Sequence, residues 1–266
     1  MGPPPTDLLR AGAPEGDAAA GGAVLTFDGV SKVFPDGTHA LEGVSFSVSR
    51  GEFVTLVGPS GCGKSTLLRI ASNLDTATGG TVQVDQDRIG YIFQDATLMP
   101  WRTVLGNVEL LGELHGHSRE ERRRLARAAI DTVGLDGFEG HYPKALSGGM
   151  RMRASIARTL TLNPPLFLFD EPFGALDEIT RERLNEETIS LFMREQFAAL
   201  FITHSIYEAV YLSTRVLVMS PRPGRIVASF DIPFEYPRAS QLRYEAKFAE
   251  LTGAVSAALR GSFGHD

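Results

Sequence analysis

The run Gly58-Pro-Ser-Gly-Cys-Gly-Lys-Ser-Thr66 constrains the fold of this chain more than any other feature. It fits the pattern G-x-x-x-x-G-K-[ST], in which a glycine-rich turn lets successive backbone N–H groups converge on an anion. Glycine supplies 28 of the 266 residues and lysine only four. A chance match is therefore expected in about one such chain per hundred or fewer. The flanks meet what the motif requires. Phe53-Val-Thr-Leu-Val57 is a short apolar, β-branched run that reads as a buried strand, and residues 65–71 have helical spacing without a breaker. A helix beginning there aims its unpaired N–H groups at phosphate. The reading is a cradle built by Gly58, Pro59, Ser60, Gly61, Cys62 and Gly63. Lys64 reaches the β- and γ-phosphates of a nucleotide, Ser65 holds Mg²⁺ and Thr66 lies on the α-phosphate side. The bland alternative, a glycine turn beside a solvent lysine, leaves the strand and the helix unexplained.

Other segments carry chemistry of the same kind. Pro165-Leu-Phe-Leu-Phe169 is an apolar strand ending in Asp170-Glu171. A carboxylate at such a strand end can orient Mg²⁺ through water, and its neighbour can polarise an attacking water. Two adjacent acids are ordinarily a solvated surface, but five apolar residues before them in a chain with a phosphate loop argue otherwise. Ala199-Leu-Phe-Ile-Thr203 is a further strand, closed by His204, and Ile89-Gly-Tyr-Ile-Phe93 is followed by Gln94. Leu146-Ser-Gly-Gly-Met150 opens a helical stretch over residues 150–160, with Ser147 as its N-cap and two glycines that let backbone approach an anion.

Leu146-Ser-Gly-Gly-Met150 resembles the signature of ABC-transporter ATPases, and the resemblance extends over residues 25–230. It implies an α/β fold: a P-loop NTPase (RecA-like) parallel core with an antiparallel β subdomain and an inserted helical subdomain. It also implies roles. Asp170 and Glu171 match the Walker B pair, with Glu171 polarising water and Asp170 on Mg²⁺. Gln94 matches the Q-loop, a contact to Mg²⁺ and water and the hinge to a transport partner. Gly174-Ala-Leu-Asp177 matches the D-loop, whose Asp177 crosses to a second subunit, and His204 matches the H-loop, contacting the γ-phosphate. Phe34 stands where the family stacks an aromatic ring on adenine; packing beneath a Pro35-Asp-Gly37 turn is its alternative. Ser147, Gly148 and Gly149 would face the γ-phosphate held by the other copy's P-loop. The resemblance thus implies a head-to-tail dimer sandwiching two ATP. Met150 replaces the family's usual Gln, which reads as a subgroup marker.

A narrower likeness rests on Leu98-Met-Pro-Trp101, Leu146-Ser-Gly-Gly-Met-Arg-Met-Arg153, Phe173-Gly-Ala-Leu-Asp177 and Arg222-Pro-Gly-Arg-Ile226. These resemble the ATPases of nitrate, taurine and aliphatic-sulfonate importers, a group that also carries pyrimidine-type vitamin precursors. The implied assembly has two copies of this chain, two transmembrane permease subunits and, indirectly, a solute-binding protein. Its place is the cytoplasmic face of the inner membrane. Solute is read by the binding protein and the pore, so this chain does not name it. Trp101 lies where a permease helix should dock, with the core of the helical lobe as its alternative. A soluble ABC ATPase of the repair, translation or iron–sulfur assembly type is the competing class. Repair members need a long coiled-coil insertion and translation members two cassettes, and an assembly ATPase would lack the Pro-Trp segment. A P-loop kinase has no use for the signature.

Composition agrees with this reading. A 43% apolar content supports a core of domain size. A net charge of −6 argues against nucleic-acid binding by phosphate neutralisation. The single cysteine, Cys62, excludes an internal disulfide and reads as a small filler rather than a redox-sensitive thiol. No run reaches the roughly 18 apolar residues of a membrane span, and no signal peptide is expected. Residues 1–22, rich in Pro, Gly and Ala, read as a disordered tail; residues 23–238 as the ATPase domain, with its helical subdomain at about 95–160; and residues 239–266 as a short C-terminal helical extension. The arginine-rich run Ser118-Arg-Glu-Glu-Arg-Arg-Arg-Leu-Ala126 reads as a solvated helix face because acids alternate with bases. His115, His117 and His141 lack metal-ligand spacing.

Overall fold

The computed structural model describes residues 9–10, 22–84 and 88–263. Its central sheet follows from a set of strands buried on both faces. β4 (Phe53–Val57) and β8 (Ala198–Thr203) are buried at every position. Such runs belong in the middle of a parallel sheet covered on both sides. β4 pairs in parallel with β8 and with β9 (Arg215–Met219), β8 with β7 (Leu166–Asp170), and β7 with β6 (Ile89–Ile92). β10 (Ile226–Asp231) closes the β9 edge antiparallel, and Leu9–Arg10, here β1, pairs antiparallel with it. The order is β1-β10-β9-β4-β8-β7-β6.

Alternation along these strands divides the interior into two cores. Phe53, Phe167, Phe169, Phe201 and Val216 face one side, against α5 (Gly148–Leu160), α6 (Glu178–Glu195), α7 (Ile206–Leu212) and α8 (Ala246–Gly261). Val54, Leu56, Leu168, Leu200 and Leu217 face the other, against α1 (Lys64–Ala71) and a second sheet. That sheet is antiparallel, in the order β3 (His39–Ser49), β2 (Ala23–Val33), β5 (Gly79–Val84). β2 and β3 turn over at Pro35-Asp-Gly37, where Gly37 takes φ +83° and Val33 opposes His39. The aromatic core is continuous: the Phe201 ring lies within 5.8 Å, centroid to centroid, of Phe53, Phe169 and Phe173. Each of these fully buried rings contributes about 2 kcal/mol by leaving water.

A third, smaller core holds the helical lobe. Val104 and Val108 of α2 (Val104–Val108) meet Ala126 and Ile130 of α4 (Arg119–Thr132) and Ala154 and Ala157 of α5; α3 (Leu110–Leu114) joins α2 to α4. Buried Asn107 pins the segment before α2, its amide donating to the carbonyls of Met99, Arg102 and Thr103 and accepting from Met99 N at 2.7 Å. Trp101, between these anchors, is 71% exposed, so it is not lobe core.

The N-terminal end departs from expectation, and the C-terminal helix is present but packed in. Leu9–Arg10 forms a strand within the stretch read as a disordered tail; residues 1–8 and 11–21 lie outside the described residues. The helix after residue 238 is not a free extension, because Phe248, Leu251 and Val255 of α8 are buried in the aromatic core. Arg238 itself is buried, with its guanidinium on the carbonyls of Val210, Tyr211, Ser213 and Phe234.

Candidate functional site

The phosphate-type loop runs from the end of β4 to the start of α1, and glycine makes it possible. Gly61 and Gly63 sit at φ +75° and +103°. A Cβ on Gly63 would stand 2.6 Å from Leu41 Cδ2 and 2.9 Å from Ala40 O, so no other residue fits there without displacing the second sheet. Lys64 opens α1 but is only 5% exposed. Its Nζ donates to the carbonyls of Gly58 and Pro59, each at 2.9 Å, and stands 3.9 Å from Glu171 Oε1. Cys62 Sγ is 3.9 Å from the same Nζ, and burial pushes the thiol pKa up, which keeps it a neutral filler. Phe34, Ser60, Gly61, Gly63, Lys64, Ser65, Thr66, Glu171 and Arg222 line a cleft of about 210 Å³ above the loop. A larger hollow of about 380 Å³ lies between α4, α5 and α6. It lacks a glycine loop, and its residues Arg153, Arg183 and Glu187 are spent on one another, so volume does not select it.

Sheet topology brings the other groups to this loop. β4, β8 and β7 are parallel neighbours, with Val57 opposite Thr203 and Asp170 opposite Ile202, so three strand ends deliver three candidate site segments side by side. Ser65 Oγ donates to Asp170 Oδ1 at 2.8 Å, and Tyr91 OH donates to Asp170 Oδ2 at 3.2 Å. Burial, and next the Asp170 charge, push the Tyr91 phenol pKa far up, so it stays a donor. Glu171 takes φ +46°, a left-handed conformation uncommon for a side chain of this size, held by Glu171 N to Ile202 O and Gly174 N to Glu171 O, each 3.1 Å. His204 Nδ1 lies 3.2 Å from Glu171 Oε2, a hydrogen bond in the tautomer protonated at Nδ1. A Cβ on Gly174 would lie 3.6 Å from His204 Cε1 and 3.7 Å from Gln94 Nε2, so Gln94 and His204 converge over that glycine. Ser65 and Asp170 offer hard oxygen donors of the kind Mg²⁺ takes alongside phosphate oxygens and water, so the donor set fits that ion.

A second group forms elsewhere. Ser147 caps α5, its Oγ accepting from Met150 N at 3.2 Å. A Cβ on Gly148 would be 2.8 Å from Leu176 Cδ2, and one on Gly149 2.8 Å from Thr180 Cγ2. The glycines therefore let this helix start press on the loop before α6. Asp177 caps α6, its Oδ1 accepting from Thr180 N at 3.0 Å and its Oδ2 from Thr180 Oγ1 at 2.7 Å. Among the described residues, the lining of the cleft includes none of Ser147, Gly148, Gly149 or Asp177. Phe34 lines the cleft and also packs on the second core. Two site residues were not anticipated. Tyr91 lies three positions before Gln94 in a strand whose pleat hides which side it faces, and Arg222 sits in a run noted only as a subgroup marker.

Comparison with known proteins fits this geometry. Residues 41–174, about half of the chain, match the ABC transporter family model. The taurine import ATP-binding protein of Rhizobium johnstonii is 43% identical over 236 residues, 84% of this chain and 90% of the relative. The nitrate import ATP-binding protein of a Synechocystis species is 44% identical over 235 residues, 84% and 88% of the two chains. A solved dimeric ATP-binding cassette in a post-hydrolysis state, bound to ADP and Pi, superposes with a TM-score of 0.70 at 32% identity, covering 79% of this chain and all of that one.

Proposed function

The chain belongs to the ABC transporter family, and from that premise we propose that it is the ATP-hydrolysing subunit of an importer for a small oxyanion or sulfonate solute. The observation that carries this reading is the convergence of Lys64, Ser65, Asp170, Glu171 and His204 at the ends of three adjacent parallel strands. Taurine and nitrate appear in the names of its relatives, which supports the solute class without choosing among its members.

In this mechanism the cradle amides of residues 58–63 and Lys64 bind the phosphate chain of ATP and offset its charge. Ser65, Asp170 and Gln94 would hold Mg²⁺, which would supply charge neutralisation at the phosphates. Glu171 orients and polarises the attacking water, and His204 holds Glu171 and contacts the γ-phosphate. Phe34 supplies the ring for adenine. Positioning and charge neutralisation are the main catalytic terms, as in phosphoryl transfer generally. The α5 start at Ser147, Gly148 and Gly149 lies outside the lining of the cleft, which supports a head-to-tail pairing in which it completes the partner's site, with Asp177 crossing between copies. Two permease subunits take up the motion at the exposed Trp101, with a separate solute-binding protein beyond them. Among the described residues no helix is long and apolar enough to cross a membrane. The proposed place is peripheral, at the inner face.

Glu171→Gln tests the reading. It keeps size and backbone but cannot accept a proton, so it should bind MgATP, lower the hydrolysis rate at least about a hundredfold, and trap a dimer on size-exclusion chromatography. Phosphate release at the wild-type rate would remove Glu171 from this role.

A further inference from the structure

The run Ser220-Pro-Arg-Pro-Gly-Arg225 follows β9 and packs its turn against the phosphate loop. Ser220 closes the turn: its hydroxyl donates to the carbonyls of Pro221 and Pro223 and accepts from Arg225 N at 3.0 Å. Gly224 is laced to the second sheet, with Gly224 N on Ala40 O at 2.9 Å and Glu42 N on Gly224 O at 3.1 Å. A Cβ there would lie 2.1 Å from Cys62 O, so the turn touches phosphate-loop backbone as closely as glycine allows. This rigid support presents Arg222, whose Nε and Nη2 both donate to the carbonyl of Gly61, at 3.1 and 2.8 Å, while its side chain lines the cleft.

A trans peptide is planar, so its C=O and N–H point in opposite directions. Two guanidinium donors on Gly61 O thus set the direction of Cys62 N–H. That N–H points at Pro59 O, a long 3.4 Å away, and Pro59 O is also an acceptor for Lys64 Nζ. Cys62 N–H and the lysine ammonium thus share Pro59 O as an acceptor, a place that a phosphate oxygen would take over from that carbonyl. We infer that Arg222 is a positioning residue of the nucleotide site: it holds the Gly61–Cys62 peptide so that Cys62 N–H and Lys64 converge on the phosphate chain of a nucleoside di- or triphosphate. This rests on the nucleotide reading above. It gives the Arg-Pro-Gly-Arg run a physical task, since the prolines and glycine keep the arginine at fixed reach. Lysine cannot do the same work, because it lacks the planar fork that places two donors on one carbonyl.

The test uses the full chain with MgATP and MgADP in titration calorimetry, together with steady-state hydrolysis. Arg222→Ala should weaken both nucleotides about tenfold and raise KM by a similar factor. Its kcat should stay within about twofold of wild type and its thermal midpoint should be unchanged, because preorganised ground-state binding is what is lost. Arg222→Lys should fall between the two. Wild-type affinity in Arg222→Ala, a lower melting temperature accounting for its loss, or full rescue by Arg222→Lys would each overturn the inference, the last because a point charge would then suffice. A wild-type chain that binds neither nucleotide would instead bring down the nucleotide reading itself.

Discussion

Lys64 must find partners because it is buried, and those it has are weak competitors for a polyanion. Two neutral carbonyls accept from Nζ, and the Glu171 carboxylate stands 3.9 Å away. A triphosphate offers several charged oxygens in their place, and charge-assisted hydrogen bonds are about twice as strong as neutral ones. Lys64→Ala removes ground-state and transition-state contacts together. MgATP affinity should drop at least about tenfold and kcat/KM at least about a hundredfold, read by calorimetry and phosphate release. Normal binding and turnover in that variant would break the link between loop and nucleotide. Glu171 shows a different economy. Its left-handed backbone costs on the order of 1 kcal/mol, and main-chain bonds to β8 and Gly174 hold it there.

At the scale of elements, the junction of α6, β8 and α7 ties the segments of Asp177 and His204 together. Arg181 of α6 donates to Leu176 O at 3.0 Å, just before Asp177, and its Nε stands 3.6 Å from Glu208 Oε1. Glu208, in the first turn of α7, accepts from Thr203 Oγ1, next to His204. A partly buried chain of contacts thus joins the loop before α6 to the histidine. Burial pushes the Glu208 carboxyl pKa up, against the opposing pulls of Thr203 and Arg181. A folded carboxyl raised above its unfolded value takes up protons on folding. Its contribution to stability is therefore lost as pH rises from about the ordinary value of 4.5 through the raised one. Glu208→Gln removes that dependence. Denaturant midpoints measured across this range should show wild type losing stability relative to Glu208→Gln as pH rises. A constant or widening wild-type advantage would contradict the assignment.

The whole molecule holds two groups of proposed site residues that do not meet within one copy. The cleft has the phosphate loop, while Gly148 and Gly149, next to Ser147, pack on Leu176 and Thr180. If the site is composite, complementation should be possible. Ser147→Arg should leave ATP binding by the single chain nearly intact yet abolish dimer closure and hydrolysis. Mixing it with Lys64→Ala creates one intact site, from the Ser147→Arg chain's phosphate loop and the Lys64→Ala chain's α5 start. The other site carries both defects. ATP-dependent dimerisation in light scattering should partly return on mixing. A Ser147→Arg chain that dimerises and hydrolyses normally by itself would rule out the sandwich.

The phosphate loop, the strands leading into Asp170 and His204, and the Ser147 cap were legible in the linear chain. Each depends on neighbours within about one turn or one strand: glycines for φ, a capping hydroxyl, a run of apolar residues. Tertiary structure alone decided which of several interchangeable apolar strands lie side by side, and so that Ser65 meets Asp170 across 105 positions. It also decided that Arg222 meets Gly61 across 161 positions, that Tyr91 turns toward Asp170, that Trp101 is exposed and that α8 joins the main core. The physical reason is that burial demands only that an apolar face be covered. Which side chain covers it, and which polar group then finds a partner beyond it, is settled by how the layers pack.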